Sequence, residues 1–240
     1  MARVVDADRF GRLIEVATQT FVARGYRQTQ MADVAEALGV AKGTLYGYVE
    51  SKEALFDAAV RFADGQGSVP KPADLPFRTP GEGATVEFIR ERLSLEAQQL
   101  MLVSVLTARK PAHPSEFADI LRDLYRRMLR NRKALKLVDR CAIDHPELAS
   151  VWFKEGRWAQ VELVAAYLER RLAEGNLREP PSVPLAARMI LETLAFWSIH
   201  MPWDPSPQGT REVGAEDAVV DLLVHAYTAP AAGVAKRGRR

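Results

Sequence analysis

The stretch Gly39-Val40-Ala41-Lys42-Gly43-Thr44-Leu45-Tyr46-Gly47-Tyr48-Val49-Glu50-Ser51-Lys52-Glu53-Ala54-Leu55-Phe56 decides how this chain folds. Met31 to Leu38, just before it, reads as a short helix with Thr29 or Gln30 near its cap and Asp33 in its first turn, where a carboxylate suits the helix dipole. Gly39 then supplies a turn that needs positive φ. A second short helix follows from about Ala41 to Gly47. Ala35 is small enough for the two helices to cross closely, and Leu45 and Val49 plug the space beneath the second. The pattern is that of a helix-turn-helix, although such spacing alone also fits ordinary helix packing. Ser51 caps the next helix, with Glu53 in its first turn and Leu55, Phe56, Ala59 and Phe62 as its inner face.

Working outward, helical spacing recurs and strand signals are nearly absent. Phe10, Leu13, Ile14, Ala17 and Phe21 form one apolar stripe, and Gly25 ends that helix. From Gly65 to Gly83 the glycines and prolines break any regular element, as in a linker or surface loop. Helical patterning resumes at Ala84 and runs to about Ala108. The Lys110 to Pro114 segment interrupts it. Ser115 caps a long helix to about Ile143, bent near Asn131. Another opens at Pro146 and ends at Gly175-Asn176, and a further one runs from Pro184 to about Met201. The Pro202 to Gly209 loop precedes a last helix, about Ala215 to Tyr227. The tail Lys236-Arg237-Gly238-Arg239-Arg240 reads as disordered. The expected domains are therefore residues 1–64, a connector at 65–83, a helical domain at 84–229 and a basic tail at 230–240.

Composition narrows the function. With 240 residues, 48% of them hydrophobic, the chain can bury a substantial core. The single Cys141 excludes an internal disulfide framework and a cysteine metal cluster. The first residues lack the apolar segment of a signal peptide, and no run of about 18 apolar residues marks a membrane span. The expectation is a cytoplasmic protein with no membrane partner. Net charge is only +2. In the first 53 residues, Arg3, Arg9, Arg12, Arg24, Arg27, Lys42 and Lys52 are balanced by Asp6, Asp8, Glu15, Asp33, Glu36, Glu50 and Glu53. Bulk charge does not advertise a nucleic-acid surface, so placement has to carry that case. His113, His145, His200 and His225 show no zinc-ligand spacing, and no phosphate-binding glycine loop or nucleophile elbow occurs. No enzymatic activity, cofactor or metal is expected. His113 and His145 each precede a proline at an element boundary, where turns and caps explain them.

The quoted stretch closely resembles the signature of the TetR family of regulators, whose pattern looks like Gly-Val-Ser-Lys-Gly-Thr-Leu-Tyr-x-His/Tyr-Phe-x-Ser-Lys-Glu-x-Leu-Phe. Gly25-Tyr26 and the run from Thr29 to Ala35 are similar to it as well, so the close match covers about residues 9 to 60. His145 to Ala149 has a faint likeness to a Phe-Pro-Glu-Leu segment of some members. Two positions depart from the pattern. Val49 stands where the family usually has Phe, so a neighbouring side chain has space to fill. Ala41 replaces the usual Ser or Thr, which removes a cap and a phosphate contact.

The resemblance implies an all-α protein: an N-terminal three-helix helix-turn-helix DNA-binding domain followed by a helical-bundle domain for ligand binding and dimerisation. It implies a repressor that binds a palindromic double-stranded DNA operator as a homodimer and is released by a small apolar or amphipathic effector. Ala41, Lys42, Gly43, Thr44 and Tyr46 would face the major groove, where Lys42 can meet a guanine edge or a phosphate and the methyls of Ala41 or Thr44 a thymine. Thr29, Tyr48 and Lys52 resemble the family's clamps on the DNA backbone. The plain alternatives are a packed aromatic for Tyr46 and solvated lysines at positions 42 and 52.

In the second half, the helix from Pro184 is apolar on nearly every side and the last helix carries an apolar stripe, which suits a four-helix bundle between subunits. Met189, Leu194, Trp197, Val219, Leu222, Leu223 and Ala226 are the expected interface residues; an interior helix of a monomer is the alternative. Phe88, Met101, Tyr125, Met128, Trp152, Phe153 and Trp158 are core residues by default, and the resemblance implies that some line an effector cavity. The basic run from Arg122 to Lys136 reads as a solvated face, or as guanidinium groups reaching an acidic ligand. A helical ligand carrier whose DNA reader has decayed is the rival reading of the whole chain.

Overall fold

The structure, a computed structural model, describes residues 7–65, 70, 74–108, 110–205 and 213–228. The basic tail and residues 206–209 of the Pro202 to Gly209 loop lie outside these residues. Among them the chain is helical, with two isolated β-bridges and no strand, and no helix is long and apolar enough to cross a membrane. Twelve α-helices follow in order: α1 Ala7–Arg24, α2 Met31–Leu38, α3 Lys42–Leu45, α4 Lys52–Phe62, α5 Ala84–Gln98, α6 Met101–Ala108, α7 Glu116–Arg130, α8 Arg132–Ala142, α9 Pro146–Ala149, α10 Ala159–Ala173, α11 Val183–Ala195 and α12 Ala215–Tyr227. Two π-helical segments, Ser150–Trp158 and Phe196–His200, continue α9 and α11.

Packing groups these elements into two compact units, residues 1–95 with 130–157 and residues 96–129 with 158–240. The grouping is by packing; a division by role is a separate question. In the first unit α1 lies against α2, α4 and α8. Its stripe of Phe10, Leu13, Ala17 and Phe21 is fully buried, as the sequence spacing requires. Phe21, Tyr26 and Phe56 close the core with ring centroids 5.0–6.1 Å apart. Gly25 has φ +83°, a left-handed conformation that favours glycine, and a Cβ there would push aside the ends of the Arg140 and Asp144 side chains.

The bend expected near Asn131 is a full break between α7 and α8, and its cause lies far away in sequence. The carboxylate of Asp64, just past α4, accepts the N–H groups of Lys133 and Ala134, both at 2.9 Å. It satisfies two of the donors that the first turn of α8 leaves unpaired. Burial raises the Asp64 pKa against the lowering effect of those bonds. Asp64→Ala is expected to cost about 1 kcal/mol of the first unit's stability, read as a shift in its urea midpoint.

In the second unit α10 packs on α6 and α11. Leu121, Leu168, Ala187, Ile190 and Leu194 are fully buried at its centre. The helix expected without interruption from Ala84 to Ala108 breaks at Gln99-Leu100, because side chains of α7 satisfy the broken ends. Asp123 accepts the Met101 N–H at 2.9 Å and Arg127 donates to the Gln99 carbonyl at 2.6 Å. Arg170 likewise donates to the carbonyls of Val105 and Leu106, each at 3.2 Å, where α6 leaves acceptors unpaired. Glu116 and Arg171 form a buried ion pair in this unit, with 3% and 1% of each residue exposed.

Candidate nucleic-acid interface

α2 and α3 form the helix-turn-helix. Asp33 in the first turn of α2 accepts the Gln30 N–H at 2.8 Å and pairs with Arg24 at 2.7 Å, which ties the start of α2 to the end of α1. Gly39 takes the left-handed turn at φ +72°, as expected. α3 spans four residues and follows Ala41 at its N-cap position, where the Thr44 N–H reaches the Ala41 carbonyl at 2.8 Å. Ala41 supplies no side-chain cap, the consequence of its departure from the usual Ser or Thr.

The side chains of this segment divide sharply. Leu45 and Val49 are fully buried and Tyr48 is 8% exposed. Ala41, Lys42, Gly43 and Gly47 are exposed, Thr44 is half-buried, and Tyr46 keeps 44% of its surface. Tyr46 is therefore a surface aromatic, not a core one. The face formed by Ala41, Lys42, Gly43, Thr44 and Tyr46 combines a cation, a methyl, a hydroxyl and a phenol on a helix start with no bulk at its centre. Those are the groups that reach base edges and phosphates in a groove.

The three expected backbone clamps sit differently. Thr29 is 1% exposed and its hydroxyl donates to the Gly25 carbonyl at 2.7 Å. Tyr48 is buried with the plug. Lys52 is half-buried: its ammonium lies 4.5 Å from the centre of the Tyr26 ring and donates to the Arg27 carbonyl at 3.3 Å. Tyr26 in turn donates to Glu53 at 3.4 Å, and burial, then the Glu53 carboxylate, pushes its phenol up to about 12. Thr29 and Lys52 thus brace the turn from Gly25 to Thr29 that leads into α2, while Tyr48 is buried at the exit of α3. Sequence reading also missed a brace: Phe77 bonds both sides of Val49 through its backbone, with N–H to the Tyr48 carbonyl at 2.7 Å and its carbonyl from the Glu50 N–H at 3.0 Å. No motif signal marks it, since it sits in the Gly/Pro-rich connector.

The expected interface residues of the second half also divide. Met189 and Leu222 are 55% and 61% exposed, and Trp197 and Ala226 are half-buried. Leu194, Val219 and Leu223 are 5% exposed or less; all three belong to the buried cluster of their own unit. Leu185 at 58% and Phe196 at 40% join the exposed set instead.

The seven aromatic and methionine positions expected around an effector do not meet within one unit. Phe88, Trp152 and Phe153 belong to the first unit, and Met101, Tyr125, Met128 and Trp158 to the second. Phe88 lies under the Arg61 guanidinium at 3.9 Å, Trp152 donates to Asp139 at 2.8 Å, and Trp158 donates to Glu162 at 2.9 Å. None of the seven lines either of two surface grooves, one of about 850 Å³ beside Asp57, Arg61 and Phe77 and one of about 500 Å³ beside Arg122, Asp217 and Val224. In the basic run of α7, Arg126 pairs with Glu216 and Arg127 with Asp123 and Glu96, so these cations are spent on neighbouring carboxylates. His145 caps α9, its Nδ1 accepting the Leu148 N–H at 3.4 Å. Cys141 is buried, and burial pushes its thiol up to about 12.

Similarity to known proteins is concentrated in the first unit. Residues 13–59 match the family described as bacterial regulatory proteins, tetR family. The HTH-type transcriptional repressor KstR2 of Mycobacterium tuberculosis is 40% identical over 53 residues, covering 22% of this chain and 26% of that protein. The HTH-type regulator YhgD of Bacillus subtilis is 44% identical over 50 residues, covering 21% and 26%. The matched part is thus about a quarter of the length of these relatives. The solved structure of the ketosteroid transcriptional regulator KstR2 of M. tuberculosis is similar over 96% of this chain and 100% of its own, with TM-score 0.56 and 17% identity. A TetR-family regulator of Streptomyces coelicolor A3 gives 0.54 at 20% identity, over 93% and 92%. These two likenesses speak to the fold. The named relatives are transcriptional regulators and not enzymes.

Proposed function

We propose, because residues 13–59 match the tetR family of bacterial regulatory proteins, that the chain is a transcriptional regulator that reads a palindromic operator as a dimer and represses until a small molecule releases it. One observation carries the reading of DNA: the segment from Ala41 to Val49 buries Leu45, Tyr48 and Val49 and presents Ala41, Lys42, Gly43, Thr44 and Tyr46. A four-residue helix has no stability of its own. Here it is fixed by three buried anchors, while its outward face is left to polar and small groups that pack into no core among the described residues. Lys42 serves as the guanine or phosphate contact and Tyr46 as a backbone contact through its hydroxyl. Thr29 and Lys52 hold the turn that leads into α2.

The test is a salt titration on a recovered operator. Lys42→Ala should weaken binding several-fold, and the slope of log affinity against log salt should fall by about one if the ammonium meets a phosphate. A change confined to one base position would instead make it a base contact. Affinity, slope and base preference all equal to wild type would remove Lys42 from the interface.

The dimer follows from the reach of a single reader, which makes few base contacts and needs a two-fold partner. The exposed apolar side chains Leu185, Met189, Phe196 and Leu222 support the α11 and α12 face as the self-associating surface. Release by a small apolar or amphipathic effector rests on the family resemblance. A compound that binds the protein must lower operator affinity by its preference for the released state; one that binds and leaves affinity unchanged is no effector.

A further inference from the structure

The connector between α4 and α5 has the composition of a loop, yet residues 74–80 are docked along the junction of α3 and α4. The two backbone bonds of Phe77 make it a parallel bridge partner of Val49. Two residues on, the Thr79 N–H donates to the Glu50 carboxylate and its hydroxyl to the hydroxyl of Ser51, both at 2.9 Å. Ser51 is the cap of α4, accepting the Ala54 N–H at 3.1 Å. The Phe77 ring stands edge-on to Phe62 at 6.0 Å and packs against the core that holds Val49. Where the connector re-enters helix, Thr85 donates to Asp57 at 2.9 Å, a carboxylate that is 3% exposed and also holds Arg61.

The segment is therefore tied to Tyr48, Glu50 and Ser51, the residues through which the chain leaves α3. With four residues, α3 cannot set its own direction. Its only buried side chain is Leu45, and the plug that follows, Val49, is small. The orientation of the exposed face then depends on whatever fixes the exit, and Phe77 fixes it from both sides.

We infer that residues 74–80 are a working part of the reading head, a strap that positions α3 for DNA, with Phe77 as its anchor. The inference rests on the DNA-reading function proposed above. Phe77 is a positioning residue: its effect on DNA passes through Tyr48, Val49 and Glu50. The small plug at Val49 and the aromatic anchor at Phe77 are two halves of one packing solution, so a larger side chain at 49 can stand in for the lost ring.

The experiment compares full-length wild type with F77A, F77L, T79V and the double variant V49F/F77A, by amide hydrogen exchange and by operator binding across a salt series. In F77A, exchange at residues 42–50 is expected to quicken about tenfold or more while α1 keeps its protection, and operator affinity to fall about tenfold. The salt slope should stay at the wild-type value, because no phosphate contact is lost. F77L should keep most of the affinity, T79V should show a smaller loss, and V49F/F77A should recover part of it. Wild-type exchange at 42–50 and wild-type affinity in F77A would overturn the strap. So would loosening spread evenly over α1 and α3, since that is general destabilisation. If F77A does not fold, F77L and T79V decide by the same two readouts. If the wild type selects no DNA at all, the proposed function fails by itself, and the exchange pattern still decides whether the strap holds α3.

Discussion

Arg171→Ala is expected to lower the stability of the second unit by about 3–5 kcal/mol, among the largest effects of any single change in the chain. Nε and Nη2 of Arg171 donate to the two carboxylate oxygens of Glu116 at 2.8 and 2.9 Å. Nη1 donates to the Lys110 carbonyl at 3.2 Å, and the Tyr167 hydroxyl donates to the same carboxylate at 3.2 Å. With the guanidinium gone, Glu116 keeps its burial and loses its counter-charge, and that orphaned carboxylate is the main cost. The carboxylate also holds Tyr167: burial and the neighbouring Glu116 push its phenol well above the usual tyrosine range, so Tyr167 stays a donor. A control separates lost charge from lost packing. In Glu116→Leu with Arg171→Met, both charges leave together, and most of the stability should return. Urea unfolding followed at a probe in each unit measures both; a loss below about 1 kcal/mol for Arg171→Ala would mean that water reaches the pair.

Charging the exposed face of α11 and α12 should have its largest effect on DNA. Leu185, Met189 and Phe196 recur at spacings of four and seven residues, one side of a helix, and Leu222 on α12 adds to them with 61% exposed. Arg188 and Glu192, paired at 2.9 Å, border that side. In a two-fold interface each substitution acts twice, so Met189→Glu with Leu222→Glu would place four carboxylates in the proposed seam. The doubly charged chain should sediment as a monomer. Its operator affinity should fall by about a hundredfold, because the second half-site is no longer held at high effective concentration. The core of each unit is untouched, so helix content should be unchanged. A chain that stays dimeric places the interface elsewhere.

The helix-turn-helix was legible in the sequence because its determinants are local: Gly39 ends α2 where the spacing puts it, Leu45 is the plug, and Ser51 caps α4. α12 runs from Ala215 to Tyr227 as its pattern requires. What escaped is held from a distance. Asp64 caps a helix that starts at Arg132, and Asp123 and Arg127 stabilise a break at Gln99-Leu100. Phe77 braces α3 from within a stretch whose glycines and prolines resemble a plain connector. Apolar periodicity identified α11 and α12 as buried helices but cannot tell an own core from a partner's surface. Leu194, Val219 and Leu223 went to the former, and Met189 and Leu222 stay exposed. Thr29 and Lys52 matched a family pattern in type, but their hydroxyl and ammonium are engaged by Gly25 and Arg27 within the fold.

The central claim, that the face of Ala41 to Tyr46 reads DNA, is tested most directly by selecting genomic fragments with the purified full-length protein and sequencing what is retained. The same selection is run with Lys42→Ala and with Tyr46→Ala. The account predicts a recurring palindrome with half-sites about one helical turn apart, or a multiple of it, enriched by the wild type and strongly depleted with either variant. Retention of nothing above background at low salt, or the same palindrome recovered equally well by both variants, would contradict it.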